Sequence, residues 1–148
     1  MIGVNDMGKK RDLVDVLHDA KVFYIATVNK EDKPCVRPFG AVVRYDGKAW
    51  ICTGKWKHVY QQLMDNCSIE IAATLMGENG PEIVRYTGVA VPDEKQGAKD
   101  AMMEALPMLK DLYAGKMNQF AVFYLEGEAK IYAMDGATVK EELMVIEG

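Results

Sequence analysis

The sequence predicts a mainly β, α+β fold: one small antiparallel barrel, residues 1–148, with helices packed on its outside. Runs rich in β-branched and aromatic residues recur along the chain, separated by turn-forming clusters. Asp46-Gly47, between two such runs, is a strong two-residue hairpin signal. Helical patterns are too few and too irregularly placed for a sheet of alternating parallel strands. With 148 residues, 49% of them hydrophobic, the chain can bury a core of its own.

From Lys9 to Ala20 the apolar positions Leu13, Val14, Val16, Leu17 and Ala20 recur at helical spacing, and His18 is expected at the helix surface or end. Val22 to Val28 reads as a strand, closed by the polar turn cluster 29–34. Cys35 to Tyr45 reads as a second strand and Lys48 to Thr53 as a third, so these three are expected as a meander. Pro38 has no N–H for a ladder, so the second strand must bulge or leave one side unpaired there. His58 to Asn66 reads as a short helix. Cys67 to Leu75 and Glu82 to Val91 form the next hairpin, with Gly88 marking a bulge or a close backbone approach. Asp93 to Leu106 starts acidic after Pro92 and reads as a helix, and Pro107 opens another through Tyr113. Met102, Met103 and Met108 are expected in the helix core. Gln119 to Met134 is a long last strand, and 138–146 fits strand or helix.

The net charge of −4 argues against nucleic acid as the partner. No apolar run approaches the roughly 20 residues that span a bilayer, and the polar N-terminus resembles no secretory signal. Cys35, Cys52 and Cys67 form no CxxC pair and are expected as buried structural thiols; with their odd count, a reducing cytoplasm is expected. No GxSxG, HExxH, P-loop or GxGxxG is present, and two histidines are too few for most metal centres.

Charge is unevenly placed. Residues 30–58 hold seven basic side chains and three acidic ones. Arg37 stands within an apolar strand, where a guanidinium is costly unless an anion pairs with it. Thr53 ends the third strand, and Lys57 opens a helix whose first-turn amides attract negative charge. A phosphate ester would satisfy Arg37, Thr53 and Lys57 together. The competing reading is that Arg37 pairs with a carboxylate while the lysines are solvated. Trp56 could stack on a planar ligand, or cover a barrel end or a subunit interface. Arg85 poses the question raised by Arg37 on another strand.

The segments FYIATVNKEDKPCVRPFG, AWICTGKWKHVYQQLMDNCSIEI and EIVRYTGVAV, in this order and spacing, resemble the pyridoxamine 5′-phosphate oxidase-like, FMN-binding split-barrel superfamily. The resemblance covers residues 10 to 134 and is strongest to short bacterial members. It implies a six-stranded split β-barrel that forms a homodimer, with FMN at the interface. It places Arg37 and Lys57 on the phosphate with Thr53 beside them, and runs the backbone of Pro38, Phe39, Gly40, Ile51 and Cys52 along the cofactor. Arg85 matches an arginine often found before the fifth-strand glycine. Val42 stands where the oxidase has a lysine, the loop after Thr53 is shorter, and the end of the chain lacks the oxidase's substrate-binding arginines and histidine. Vitamin B6 oxidation is therefore not expected. What is expected is a flavin-dependent oxidoreductase of unassigned substrate, with NAD(P)H as a possible electron donor. The alternative is a non-catalytic module binding flavin, haem or deazaflavin, where haem would need His58 or His18 as axial ligand.

Overall fold

The computed structural model describes residues 11–135 and 137–145. Its elements are α1 (Leu13–Ala20), β1 (Phe23–Val28), β2 (Pro34–Phe39), β3 (Val42–Tyr45), β4 (Lys48–Gly54), α2 (His58–Asp65), β5 (Ser68–Gly77), β6 (Gly80–Pro92), α3 (Gln96–Ala105), α4 (Met108–Leu112), β7 (Phe120–Ala133) and β8 (Val139–Leu143). All strands join one antiparallel sheet in the order β2-β1-β5-β6-β7-β4-β3, and β8 pairs with β7 off that path.

The expectation of six barrel strands is corrected to eight, in a sheet that is not closed by hydrogen bonds. Both differences have local causes. The run from Cys35 to Tyr45 breaks at Gly40 and Ala41 into β2, which pairs with β1, and β3, which pairs with β4. The expected meander therefore does not form: β2 and β3 are the two ends of the sheet. Two residues span no more than about 7 Å of extended chain, so the sheet must curl until those ends approach. As an end strand β2 has an unpaired side, which accommodates Pro38. The eighth strand comes from the C-terminal segment, whose position 146 lies outside the described residues.

Turn chemistry follows the sequence closely. Asp46 and Gly47 both take positive φ, 52° and 73°, as a twisted two-residue hairpin requires. Asn29 accepts from the backbone N–H of Glu31 and Lys33 at 2.8 and 3.1 Å, fixing the β1–β2 turn. Helix α3 starts at Gln96 rather than Asp93, because Glu94 lies outside it and pairs with Lys55 and Lys99 at 2.9 and 3.3 Å. For α1, Lys9 and Lys10 lie outside the described residues.

Two cores result. The larger lies inside the curl and contains Leu13 and Leu17 of α1 with Phe23, Ile25, Ile51, Ile71 and Phe123. The second lies between the sheet's outer face and α3–α4, and contains Trp50, Cys52, Met102, Met103, Tyr113 and Phe120. Strand β4 serves both: Ala49 and Ile51 face the curl, Trp50 and Cys52 face the helices, so nearly every position on it is buried. Met108 corrects the expectation of a core methionine, since the five-residue helix α4 leaves it exposed. Arg44 on β3 is tied to α1 through Asp12 and Asp15 at 2.5 and 2.6 Å, and His18 near the end of α1 bonds the Val42 carbonyl at 2.7 Å. The N-terminal segment is zipped to the end of β8: Leu13 N–H donates to Met144 O at 2.8 Å and Met144 N–H to Arg11 O at 2.9 Å.

Where β6 and β7 cross most tightly, Gly88 faces Gly127. A Cβ on Gly88 would lie 2.1 Å from the Glu126 carbonyl oxygen, and one on Gly127 2.2 Å from that of Thr87. Backbone cannot yield there as a side-chain tip can. Gly88→Ala should therefore destabilise the fold by at least the ~1–3 kcal/mol typical of overpacking, read as a lower midpoint in urea denaturation; an unchanged midpoint would show that the strands can separate cheaply.

Candidate functional site

The curl of the sheet brings β2 beside β4 and the start of α2, and between them is a cavity of about 210 Å³. Arg37, Thr53 and Lys57 share its wall with Cys52 and with Pro38, Phe39 and Gly40. Three predicted site residues lie elsewhere. The Ile51 side chain points into the larger core. Trp56 is exposed and lies over Gly54, where a Cβ would come within 2.7 Å of its ring; Lys116 stands 4.7 Å above that ring. Arg85 is on the outer face of the sheet, paired with Glu70. Lys55 and Arg44, two other cations of the basic stretch, are held by carboxylates away from the cavity.

Arg37 follows from strand alternation. On β2 the side chains of Cys35, Arg37 and Phe39 share the more buried side, while Pro34, Val36 and Pro38 face outward. Arg37 thus reaches toward β1 and α2. Its Nη1 donates to Thr27 Oγ1 at 2.7 Å and to the Ile25 carbonyl at 3.2 Å, and its Nη2 donates to Gln62 Oε1 at 2.7 Å. Every one of these acceptors is neutral, and among the described residues no carboxylate pairs with it. The reading in which Arg37 pairs with a carboxylate is thereby set aside. Burial lowers its pKa, with the Cys35 thiol opposing the shift, yet an arginine stays charged at neutral pH.

Thr53 is buried, but its hydroxyl has no hydrogen-bond partner among the described residues and is not sealed from solvent, so it opens on the cavity. Lys57 is exposed at the N-cap of α2 and offers that helix no side-chain acceptor. Val59 of the first turn also borders the cavity. A cation pair, a hydroxyl and the positive end of a helix therefore meet on one wall.

The opposite chemistry comes from α4 and the residue after it. Leu109, Leu112 and Tyr113 line the cavity, and Tyr113 is wedged between Trp56 and Phe120 at ring distances of 5.4 and 4.8 Å. Burial pushes the Tyr113 phenol up to about 12, with Cys52 adding to the shift. Burial likewise raises the Cys52 thiol to about 12, partly offset by Lys57. Both groups stay protonated at neutral pH. The Tyr113 hydroxyl, like that of Thr53, has no partner among the described residues and is not sealed off, so it serves the cavity as a fixed donor. The site can thus bind an anion joined to an apolar body.

Thr27, Gln62 and Tyr113 were not singled out as site residues by sequence reasoning. Thr27 and Gln62 are neutral and carry no motif; Tyr113 was placed only as a helix end. The thiol expectation is corrected in part: Cys52 is buried, Cys35 is partly exposed and Cys67 is exposed at the strand entrance. Among the described residues no cluster of His, Cys, Asp and Glu could hold a metal ion, and no helix is long and apolar enough to cross a membrane.

An antiparallel sheet curled on itself, with flanking helices and a cavity at the meeting of its ends, defines a split-barrel protein. The family model for pyridoxamine 5′-phosphate oxidase matches residues 10–132, and the chain belongs to that family. Among solved structures, a NimC/NimA family protein from Clostridium acetobutylicum is 36% identical, with a TM-score of 0.73 over 86% of this chain and 87% of that one. The haem storage protein HutZ of Vibrio cholerae shares the fold at 15% identity and a TM-score of 0.61, over 83% and 94% of the two chains. A haem-binding protein from Mycobacterium smegmatis does so at 18% identity and 0.61, over 78% and 52%. A comparison with curated proteins finds no match.

The thiols provide a direct check on the cavity wall. Near pH 8 a thiol reagent should modify Cys67 first and Cys35 more slowly, leaving Cys52, with only ~0.01% thiolate, unmodified until denaturant is added. Rapid labelling of Cys52 in the native protein would contradict its burial.

Proposed function

We propose that this chain is an FMN-binding flavoprotein, an oxidoreductase of a substrate other than vitamin B6, acting as a homodimer. The observation carrying this reading is that Arg37, Thr53 and Lys57 share one cavity with no carboxylate among the described residues to neutralise Arg37. That donor set fits a phosphate monoester: the guanidinium takes two oxygens, while the ammonium and the hydroxyl take the rest. The Pro38–Gly40 backbone would run along the chain that leaves the phosphate, and Tyr113 would donate its phenolic hydrogen to a polar edge of the planar group. When bound, FMN would supply hydride chemistry at its N5, leaving binding and orientation to the protein.

The dimer is supported by two features. A cavity of about 210 Å³ is below the roughly 300–1,000 Å³ of a complete small-molecule site, so a second surface is needed to enclose the ring system. The outer sheet face also carries an apolar groove along Val22, Tyr24, Ala72, Ile83 and Met134. Exposed apolar surface of this kind marks an interface, and a second copy would cover it.

Two solved relatives are described by haem, but neither histidine of this chain lines the cavity: His18 bonds Val42 O, and His58 borders a separate hollow with Gln61 and Gln62. Flavin is therefore the favoured occupant.

Purified protein should show the visible spectrum of bound flavin and quench added FMN fluorescence. Arg37→Ala and Lys57→Ala should each weaken FMN by about 1.5–3 kcal/mol, the scale of a charge-assisted hydrogen bond, and Tyr113→Phe by about 0.5–1.5 kcal/mol, the scale of a neutral one. Unchanged affinity in both cation mutants would move the phosphate elsewhere. A Soret band on haem addition that is lost in His58→Ala would replace flavin with haem. Bound flavin that neither NADH nor NADPH reduces would make the protein a carrier or sensor.

A further inference from the structure

Of the five guanidinium N–H donors of Arg37, Nη1 spends both of its hydrogens on Thr27, Ile25 and Cys35, and Nη2 spends one on Gln62. Its Nε and one Nη2 hydrogen have no acceptor among the described residues. That leaves donors on two nitrogens, the number a phosphate takes in a two-pronged contact. Gln62 closes a triangle that fixes this state: its Oε1 accepts from Arg37 Nη2 at 2.7 Å and from the buried Thr27 hydroxyl at 2.6 Å, while Thr27 Oγ1 accepts from Arg37 Nη1. Arginine can only donate, so the amide orientation is determined: the oxygen faces Arg37 and the NH₂ faces the Cys35 sulfur at 3.6 Å.

A glutamate would fit this position by shape, and would normally be the better partner for a half-buried guanidinium. The chain has a neutral amide instead. We propose that Gln62 is a positioning residue that sets ligand selectivity: it holds the Arg37 guanidinium through a neutral oxygen, so that its positive charge is matched by the anion of a phosphate ester rather than by the protein. This rests on the phosphate-ester reading above and assigns the discrimination between phosphorylated and unphosphorylated ligand to Gln62, whose side chain does not itself need to touch the phosphate.

The test compares the wild type with Gln62→Glu and with Gln62→Met, a neutral side chain of similar length that accepts no hydrogen bond from Arg37. Each is titrated with FMN and with riboflavin by flavin fluorescence, and each is melted without ligand. In Gln62→Glu the preference for FMN over riboflavin should fall by about 10- to 100-fold, the scale of one lost charge-assisted contact, while the melting temperature rises, because a desolvated guanidinium gains a carboxylate. In Gln62→Met the melting temperature should fall and FMN should weaken several-fold, with most of the phosphate preference retained. An unchanged preference in Gln62→Glu, or a melting temperature lowered as in Gln62→Met, overturns the proposal. If the wild type binds neither flavin, the FMN reading fails, and inorganic pyrophosphate becomes the probe. Thermal protection of the wild type by pyrophosphate, absent in Gln62→Glu, then sustains the role of Gln62, and no protection of the wild type overturns it.

Discussion

The constraint on which everything else depends is the two-residue link between β2 and β3. Those strands stand at opposite ends of the sheet order, yet only Gly40 and Ala41 separate them in the chain. The sheet has to roll up to satisfy that link. Rolling creates the inner core, exposes the outer side of β4 and β7 for α3 and α4 to cover, and sets Arg37 next to Thr53 and Lys57. Neither the cavity nor its charge could arise in a flat sheet, where four strands would lie between β2 and β4.

Electrostatics then gives the cavity its character. The protein satisfies its other half-buried arginines with carboxylates, Arg44 with Asp12 and Asp15 and Arg11 with Glu141, and neutralises Lys55 with Glu94. At Arg37 it supplies carbonyl, hydroxyl and amide oxygens instead. Partly desolvating a cation without an anion costs stability, and such a cost is tolerated where a ligand supplies the missing charge. The other wall, with Leu109, Leu112 and Tyr113, holds no group that changes charge near neutral pH. Recognition is thus concentrated in fixed charges and fixed donors.

Much of this is legible in the sequence, and the rest is not for physical reasons. Arg37 stands out because a charge inside an apolar strand demands a partner, and Asp46-Gly47 because few other pairs adopt both positive φ values. The break at Gly40 is hidden, since residues on either side are equally strand-like and only the distant pairings of β2 and β3 divide them. β8 is hidden because VKEEL has no periodicity of its own and becomes a strand by adding to the exposed edge of β7. Trp56 shows the limit of residue type: it lies next to Lys57, but the small Gly54 draws its ring over the backbone and out of the cavity. Gln62 and Thr27 are invisible because their neutrality is the point, and no spacing announces it.

The pairing of the N-terminal segment with the end of β8 has a mechanical meaning. Asp12 and Met144 bridge in parallel, so the chain enters at one end of that contact and leaves at the other. A pull on both ends would load its two backbone hydrogen bonds together, in shear, rather than peel them one at a time. The ion pair between Arg11 and Glu141 lies across the same seam. The barrel is thus latched by a seam that joins the start of α1 to the end of β8.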